Sequence, residues 1–236
     1  MHAHAATALA DSAFPSYLLP DRPGNGSRLP AITSIQRRLP GELLFSEGDE
    51  ASSVYEIVSG MVRLVKLLPD GRRQITGFLP AGHLLGLAPE GIHVYTAEAI
   101  TKVTVCRYGR AAFERLIEET PGFAMRLFAQ TSHELRANQD QMVLLGRKTA
   151  TEKVASFLLL FAGQQSGANA DGHYAGEIDM PITRCDIADY LGLTIETVSR
   201  TFTKLRQDGV IELPAPTRIK LRDRGRIEEL AVGNAD

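Results

Sequence analysis

The apolar positions of this chain change period along its length. Across residues 39–108 they alternate in short runs, at 42–45, 54–58, 61–65, 75–79, 94–99 and 102–107. Turn signals separate the runs at Pro40-Gly41, Glu47-Gly48-Asp49, Ser59-Gly60, Pro69-Asp70-Gly71 and Pro80-Ala81-Gly82. Alternation of this kind, bounded by Gly, Pro and Asp, predicts an antiparallel β-roll or jelly roll. After Pro121-Gly122 the spacing becomes helical as far as about Leu145. Phe128, Leu135 and Met142 recur at seven, with Ala124, Thr131, Asn138 and Leu145 interleaved. A heptad seam predicts a parallel coiled coil between two copies, in which Asn138 would fix register; the alternative is that the stripe packs on its own roll. Residues 147–163 give a further helix with Val154, Phe157, Leu158 and Phe161 on its core face. Residues 164–176 read as a polar loop, and 177–182 as a short strand.

Residues 183–209 then read as two helices crossing at a tight turn. Thr183 with Asp186 three residues on is a capping-box start, and Ile187, Ala188 and Leu191 share a face. Gly192 reverses the chain, and Thr194 caps a second helix running to about Gln207, where Asp208-Gly209 stops it. In this second helix Val198, Phe202 and Leu205 turn inward, which leaves Ile195, Glu196, Ser199, Arg200 and Thr203 outside. That outer set suits a DNA major groove. Arginine grips guanine bidentately, glutamate accepts from cytosine, and an aliphatic group meets a thymine methyl. Residues 209–213, then Pro-Ala-Pro, then 217–221 predict a hairpin, the wing of a winged helix. A weak helix at 226–232 follows.

Composition changes this picture in one respect. With 44% apolar and 23% charged residues the chain is ordinary and globular, and its net charge of −2 is not that of a typical nucleic-acid binder. From Arg147 onward there are 12 Lys and Arg against 13 Asp and Glu. The local balance is different: 194–207 carries Arg200, Lys204 and Arg206 against Glu196, while Arg218, Lys220 and Arg222 load the wing. Phosphates need a positive surface only where the duplex lies. Backbone contacts are therefore expected from Thr183, Thr194, Thr197, Thr203, Lys204 and Arg218. No apolar run approaches the ~20 residues that span a bilayer, and the start lacks an export signal, so a cytoplasmic protein is expected.

Three stretches carry the resemblance to a known family: Asp186-Ile-Ala-Asp-Tyr-Leu-Gly-Leu, Glu196-Thr-Val-Ser-Arg200 and Leu205-Arg-Gln-Asp-Gly-Val-Ile. Together they resemble the DNA-binding signature of the CRP/FNR superfamily of bacterial transcription regulators. The likeness runs over about residues 35–225. Upstream, PGELLFSEGD, YEIVSGMVRLV, the DGRR hairpin and FLPAGHLLGL are similar to a cyclic-nucleotide-binding domain. The fold implied is α+β: a flexible tail at 1–30, a β-roll at 31–120, a dimerisation helix at 121–146 with Phe128, Leu135, Met142 and Leu145 on its seam, and a winged helix-turn-helix at 147–236. In nucleotide-binding members a Gly-Glu pair holds the ribose and a nearby Arg the phosphate. This chain has Gly82-His83 and no Arg between Arg73 and Arg107. A buried, unpaired phosphate costs several kcal/mol, so no nucleotide and no other cofactor is expected. The oxygen-sensing branch has an N-terminal cysteine cluster for an iron–sulfur centre, whereas this chain has no cysteine before Cys106. What remains is likeness to the FixK-like branch, whose members activate genes of low-oxygen respiration, denitrification and nitrogen fixation. The resemblance implies a homodimer that works with RNA polymerase on TTGAT-type palindromes, read by Ile195, Glu196, Ser199 and Arg200. A member gated by some other small effector in the roll is the rival reading.

Remaining candidate chemistry is sparse. His2 and His4 have no clustered ligands beside them, and His83 and His93 stand ten apart without the paired histidines of a cupin metal centre, so neither a metal site nor an enzyme is expected. Cys106 and Cys185 lie in different domains and should not pair. Cys106 falls on an alternating strand and reads as core. Cys185 falls in the first turn of a helix beside Arg184, where unpaired N–H groups favour a thiolate, and is the candidate for a redox-sensitive switch.

Overall fold

A computed structural model describes residues 34–88, 90–166 and 177–233. The proposed tail at 1–30, most of the loop at 164–176 and the last three residues lie outside them. The chain divides into two compact units, Met1–Glu134 and Leu135–Asp236.

Two antiparallel four-stranded sheets make the first unit. One has the order β1 (Ser34–Arg38), β8 (Val103–Gly109), β3 (Ser53–Ser59), β6 (Leu84–Leu85), and the other β2 (Leu43–Phe45), β7 (Thr96–Ala99), β4 (Met61–Leu67), β5 (Arg73–Pro80). Alternate residues of each strand point between the sheets. Phe45, Ile57, Val62, Leu85, Ala97, Val103 and Val105 meet there as one core. The opposite face of the first sheet is covered by α1 (Arg110–Glu119) and the start of α2 (Pro121–Arg147), through Val54, Leu84, Tyr108, Phe113, Leu116 and Phe123. The six expected strands are present; β1, β6 and α1 are additions. The run expected from Val94 begins at Thr96 instead, and Val94 is exposed.

In the second unit α3 (Ala150–Ser166), α4 (Arg184–Leu191), α5 (Ile195–Gln207) and α6 (Arg224–Val232) pack with a three-stranded sheet. Its order is β10 (Ile211–Ala215), β11 (Arg218–Leu221), β9 (Glu177–Asp179). The helix expected from Arg147 starts at Ala150. A second capping box, with the Thr149 N–H donating to Glu152 Oε2 at 3.1 Å and the Glu152 N–H to Thr149 Oγ1 at 3.4 Å, sets that start. Phe157 and Phe161 pack with ring centroids 4.8 Å apart, and Phe157 also meets Tyr190 at 5.5 Å. Pro214 lies in the register shift of the β10–β11 hairpin, between Glu212↔Lys220 and Ala215↔Arg218, where a residue without an N–H does least harm.

Candidate DNA interface

The helix-turn-helix is assembled by local caps. Thr183 Oγ1 accepts from the Asp186 N–H at 3.1 Å and donates to Asp186 Oδ2 at 2.7 Å, while the Thr183 N–H donates to the same carboxylate at 3.3 Å. α4 ends at Gly192, whose φ of 61° and ψ of 44° are left-handed and cost a residue with a Cβ strain. Thr194 then caps α5, its Oγ1 accepting from the Thr197 N–H at 3.2 Å. Both helices have the expected ends.

Packing sorts the two faces of α5. Val198, Phe202 and Leu205 are buried, together with Thr201, whose hydroxyl donates back to the Thr197 carbonyl at 2.9 Å. Ile195, Glu196, Ser199, Arg200, Thr203 and Lys204 are exposed on the other side, and Thr197 is half-buried. The Glu196 carboxyl is held below the usual carboxylate range by its own backbone N–H and the Thr194 hydroxyl, and further by the Arg200 charge. It is therefore ionised at neutral pH and available as an acceptor.

Several polar groups arrive at the face already engaged. The hydroxyl of Thr183 is occupied within its capping box, and that of Thr203 donates to the Ser199 carbonyl at 2.9 Å. On the wing Arg218 lies 3.6 Å from Glu177, and Arg222 pairs with Glu212, so the expected run of cations is partly neutralised. Exposed pairs of this kind are worth about 0–1 kcal/mol, so a phosphate can compete for the guanidinium.

Arg184 makes a contact between the two helices that spacing did not reveal. Its guanidinium stacks on the Phe202 ring at 3.3 Å, binding the start of α4 to the middle of α5, and burial lowers its pKa to about 10. Gln141 and Lys153 were missed as well. They hydrogen-bond to the end of α4 from elements 49 and 38 residues away in sequence, which no local pattern encodes.

Along α2, Phe128, Leu135 and Met142 are 66%, 60% and 65% exposed. Met125 and Val143 extend the apolar surface. Leu145, expected on the seam, is half-buried, with Cδ2 3.6 Å from where a Cβ on Gly192 would stand.

Inside the roll, aromatic rings pack on one another. His93 stacks on Phe45 with centroids 3.6 Å apart, and Phe45 also meets Tyr55 and Tyr95, each at 5.9 Å. Gly86 is pressed between them and the backbone: a Cβ there would lie 2.6 Å from the Ser53 carbonyl oxygen and 3.5 Å from the His93 and Tyr55 rings. His83 Nδ1 is 3.2 Å from the Pro80 carbonyl oxygen. No three His, Cys, Asp or Glu converge as a metal site among the described residues, and no described helix is long and apolar enough to cross a membrane. Neither cysteine is in a disulfide. Burial, and then the Glu56 charge, pushes the Cys106 thiol up to about 11. Cys185 is exposed, with Sγ 4.0 Å from Asp189 Oδ2.

Residues 152–230 match the Crp-like helix-turn-helix domain, and residues 35–120 the cyclic nucleotide-binding domain. The nitrogen fixation regulation protein FixK of Bradyrhizobium diazoefficiens is 49% identical over 191 residues, 81% of this chain and 79% of that one. The transcriptional activatory protein AadR of Rhodopseudomonas palustris is 46% identical over 81% of this chain and 79% of its own. The structure of FixK2 from Bradyrhizobium japonicum superposes with a TM-score of 0.76 at 39% identity, covering 84% of this chain and 96% of that one. With the capped helix pair, the wing and the roll in place, the chain belongs to the CRP/FNR family of DNA-binding transcription regulators, in its FixK-like branch.

Proposed function

We propose that the protein is a homodimeric activator that binds TTGAT-type palindromes without a nucleotide effector and acts with RNA polymerase on genes of low-oxygen respiration and nitrogen metabolism. The observation that carries this reading is the outer face of α5, on which Ile195, Glu196, Ser199 and Arg200 stand exposed on a helix fixed at both ends by its own caps. Arg200 grips the guanine of the half-site, Glu196 accepts from a cytosine, Ile195 meets a thymine methyl and Ser199 adds a less specific contact. The exposed stripe of Phe128, Leu135 and Met142 supports the dimer, because a monomer leaves it in water. Two such recognition helices enter successive major grooves about 34 Å apart. The FixK and AadR relatives supply the activator and nitrogen-fixation part of the reading. The aromatic filling around Gly86 supports a roll without a nucleotide.

The test is a binding titration on a full palindrome and on a single half-site. The reading predicts that the dimer holds the palindrome much more tightly; equal affinity for the two duplexes overturns it.

Cys185 belongs to the same reading as a redox modulator. The thiol is exposed in the first turn of α4, the helix that crosses the DNA backbone. Two equivalents of peroxide convert the thiolate to sulfinate and release two waters, leaving an anion beside phosphate. Peroxide should then weaken wild-type binding to all sequences alike and spare Cys185→Ser; equal losses in both refute the role.

A further inference from the structure

The last two carbonyls of α4 are held by side chains from outside the helix-turn-helix. Gln141 of α2 donates its amide to the Tyr190 carbonyl at 3.0 Å, and Lys153 of α3 donates its ammonium to the Leu191 carbonyl at 3.1 Å. The turn itself satisfies the carbonyl of Ala188, which accepts from the N–H groups of Gly192 and Leu193. Carbonyls at a helix end have no intrahelical donor and carry the negative end of the helix dipole, so a cation and an amide suit them. Lys153 is only 8% exposed, and among the described residues the Leu191 carbonyl is its ammonium's hydrogen-bond partner.

Stability alone does not call for a lysine there. Taking an ammonium out of water is costly, and an apolar side chain of similar length often serves a buried position as well or better. What the ammonium fixes is a position. Leu191 immediately precedes Gly192, whose left-handed backbone sets the direction in which α5 leaves the turn, and α5 begins at Ile195. A small rotation of that turn is carried along α5 to Glu196 and Arg200. Bidentate contacts to base edges tolerate little displacement, whereas contacts to phosphate tolerate more.

From this geometry we infer that Lys153 is a positioning residue for sequence readout, with Gln141 as a second clasp on the same helix end. The inference rests on the reading of α5 as the recognition helix. If it holds, losing the clasp removes discrimination between sequences before it removes DNA binding or folding.

The experiment uses the full chain and two duplexes, one that the wild-type protein selects from random DNA and one with the same bases scrambled. Affinity for both, and the melting temperature, are measured for wild type, Lys153→Met, Lys153→Arg and Gln141→Leu. Lys153→Met should lose about tenfold in affinity for the selected duplex, the scale of one base contact, with its affinity for the scrambled duplex and its melting temperature nearly unchanged. Lys153→Arg should recover most of the loss, and Gln141→Leu should shift the ratio the same way by less. An unchanged ratio in Lys153→Met, or a parallel fall of both affinities and the melting temperature, overturns the inference. Should Lys153→Met fail to fold, Gln141→Leu decides by the same criterion. A wild-type protein that selects no sequence overturns the recognition-helix reading itself, and this inference with it.

Discussion

In the β-roll ionisable groups lie in the interior, against partners supplied by the fold. Glu56 is 4% exposed and accepts from the Tyr108 hydroxyl at 3.0 Å, and His93 is buried against Phe45. Burial, with Glu56 beside it, raises the pKa of Tyr108, so that phenol stays protonated. On α5 the arrangement is reversed. The apolar residues are buried, and Glu196, Arg200, Lys204 and Arg206 stand in water. A polar group that already has its partner contributes to a scaffold, whereas one left hydrated on a rigid helix is available to a ligand. The two units thus differ in where their polar groups lie: Glu56 and His93 are buried in the roll, whereas Glu196, Arg200, Lys204 and Arg206 are exposed on α5.

The largest effect is expected from a substitution in neither unit's core. Leu135→Asp places a charge in the proposed seam of α2 and should cost several kcal/mol of dimer stability. Sedentation of the variant as monomer, read by analytical ultracentrifugation, should accompany loss of palindrome binding; a stable dimer with full affinity refutes the seam. Next in size, Arg200→Ala should cost ~1–3 kcal/mol of binding and relax preference at one base pair, which a panel of single-substituted duplexes measures. Thr183→Ala removes the capping box of α4 and should lower stability by ~0.5–2 kcal/mol in a denaturant titration.

Smaller effects are expected in the roll. Burial holds the pKa of His93 below the ordinary histidine value; Asp49 opposes this and Arg110 adds to it. A base whose pKa is depressed on folding gives its full contribution to stability above the unfolded value, ~6.5, and loses it as pH falls through the folded value. Wild type should therefore lose stability on acidification through that window, and His93→Gln should show a flatter slope there. Cyclic AMP titrated by calorimetry should give no binding heat and leave DNA affinity unchanged. Tight binding coupled to DNA affinity would restore the roll as a nucleotide sensor.

The helix-turn-helix was legible in the sequence because its determinants are local. Thr183 with Asp186, Gly192, Thr194 and Gly209 mark the ends of α4 and α5 within one or two turns of the residues they cap. The elements that escaped have no such marks. β1 is the polar segment Ser-Ile-Gln-Arg-Arg, held in place by pairing with β8 about 70 residues on. β6 is two residues long, and α1 starts from Gly109 without a side-chain cap, although Phe113 and Leu116 have helical spacing. Arg184 over Phe202, and Lys153 on Leu191, are contacts between helices that only the folded packing brings together.

Selection from random DNA by the wild-type protein, with no small molecule added, reads out the base preference of α5 and the need for two half-sites together. The account predicts that the recovered sequences are palindromes of TTGAT type, with the guanine lost as a preference when Arg200→Ala is used instead. Recovery of TGTGA-type sites, of unpaired half-sites or of no common sequence would contradict it.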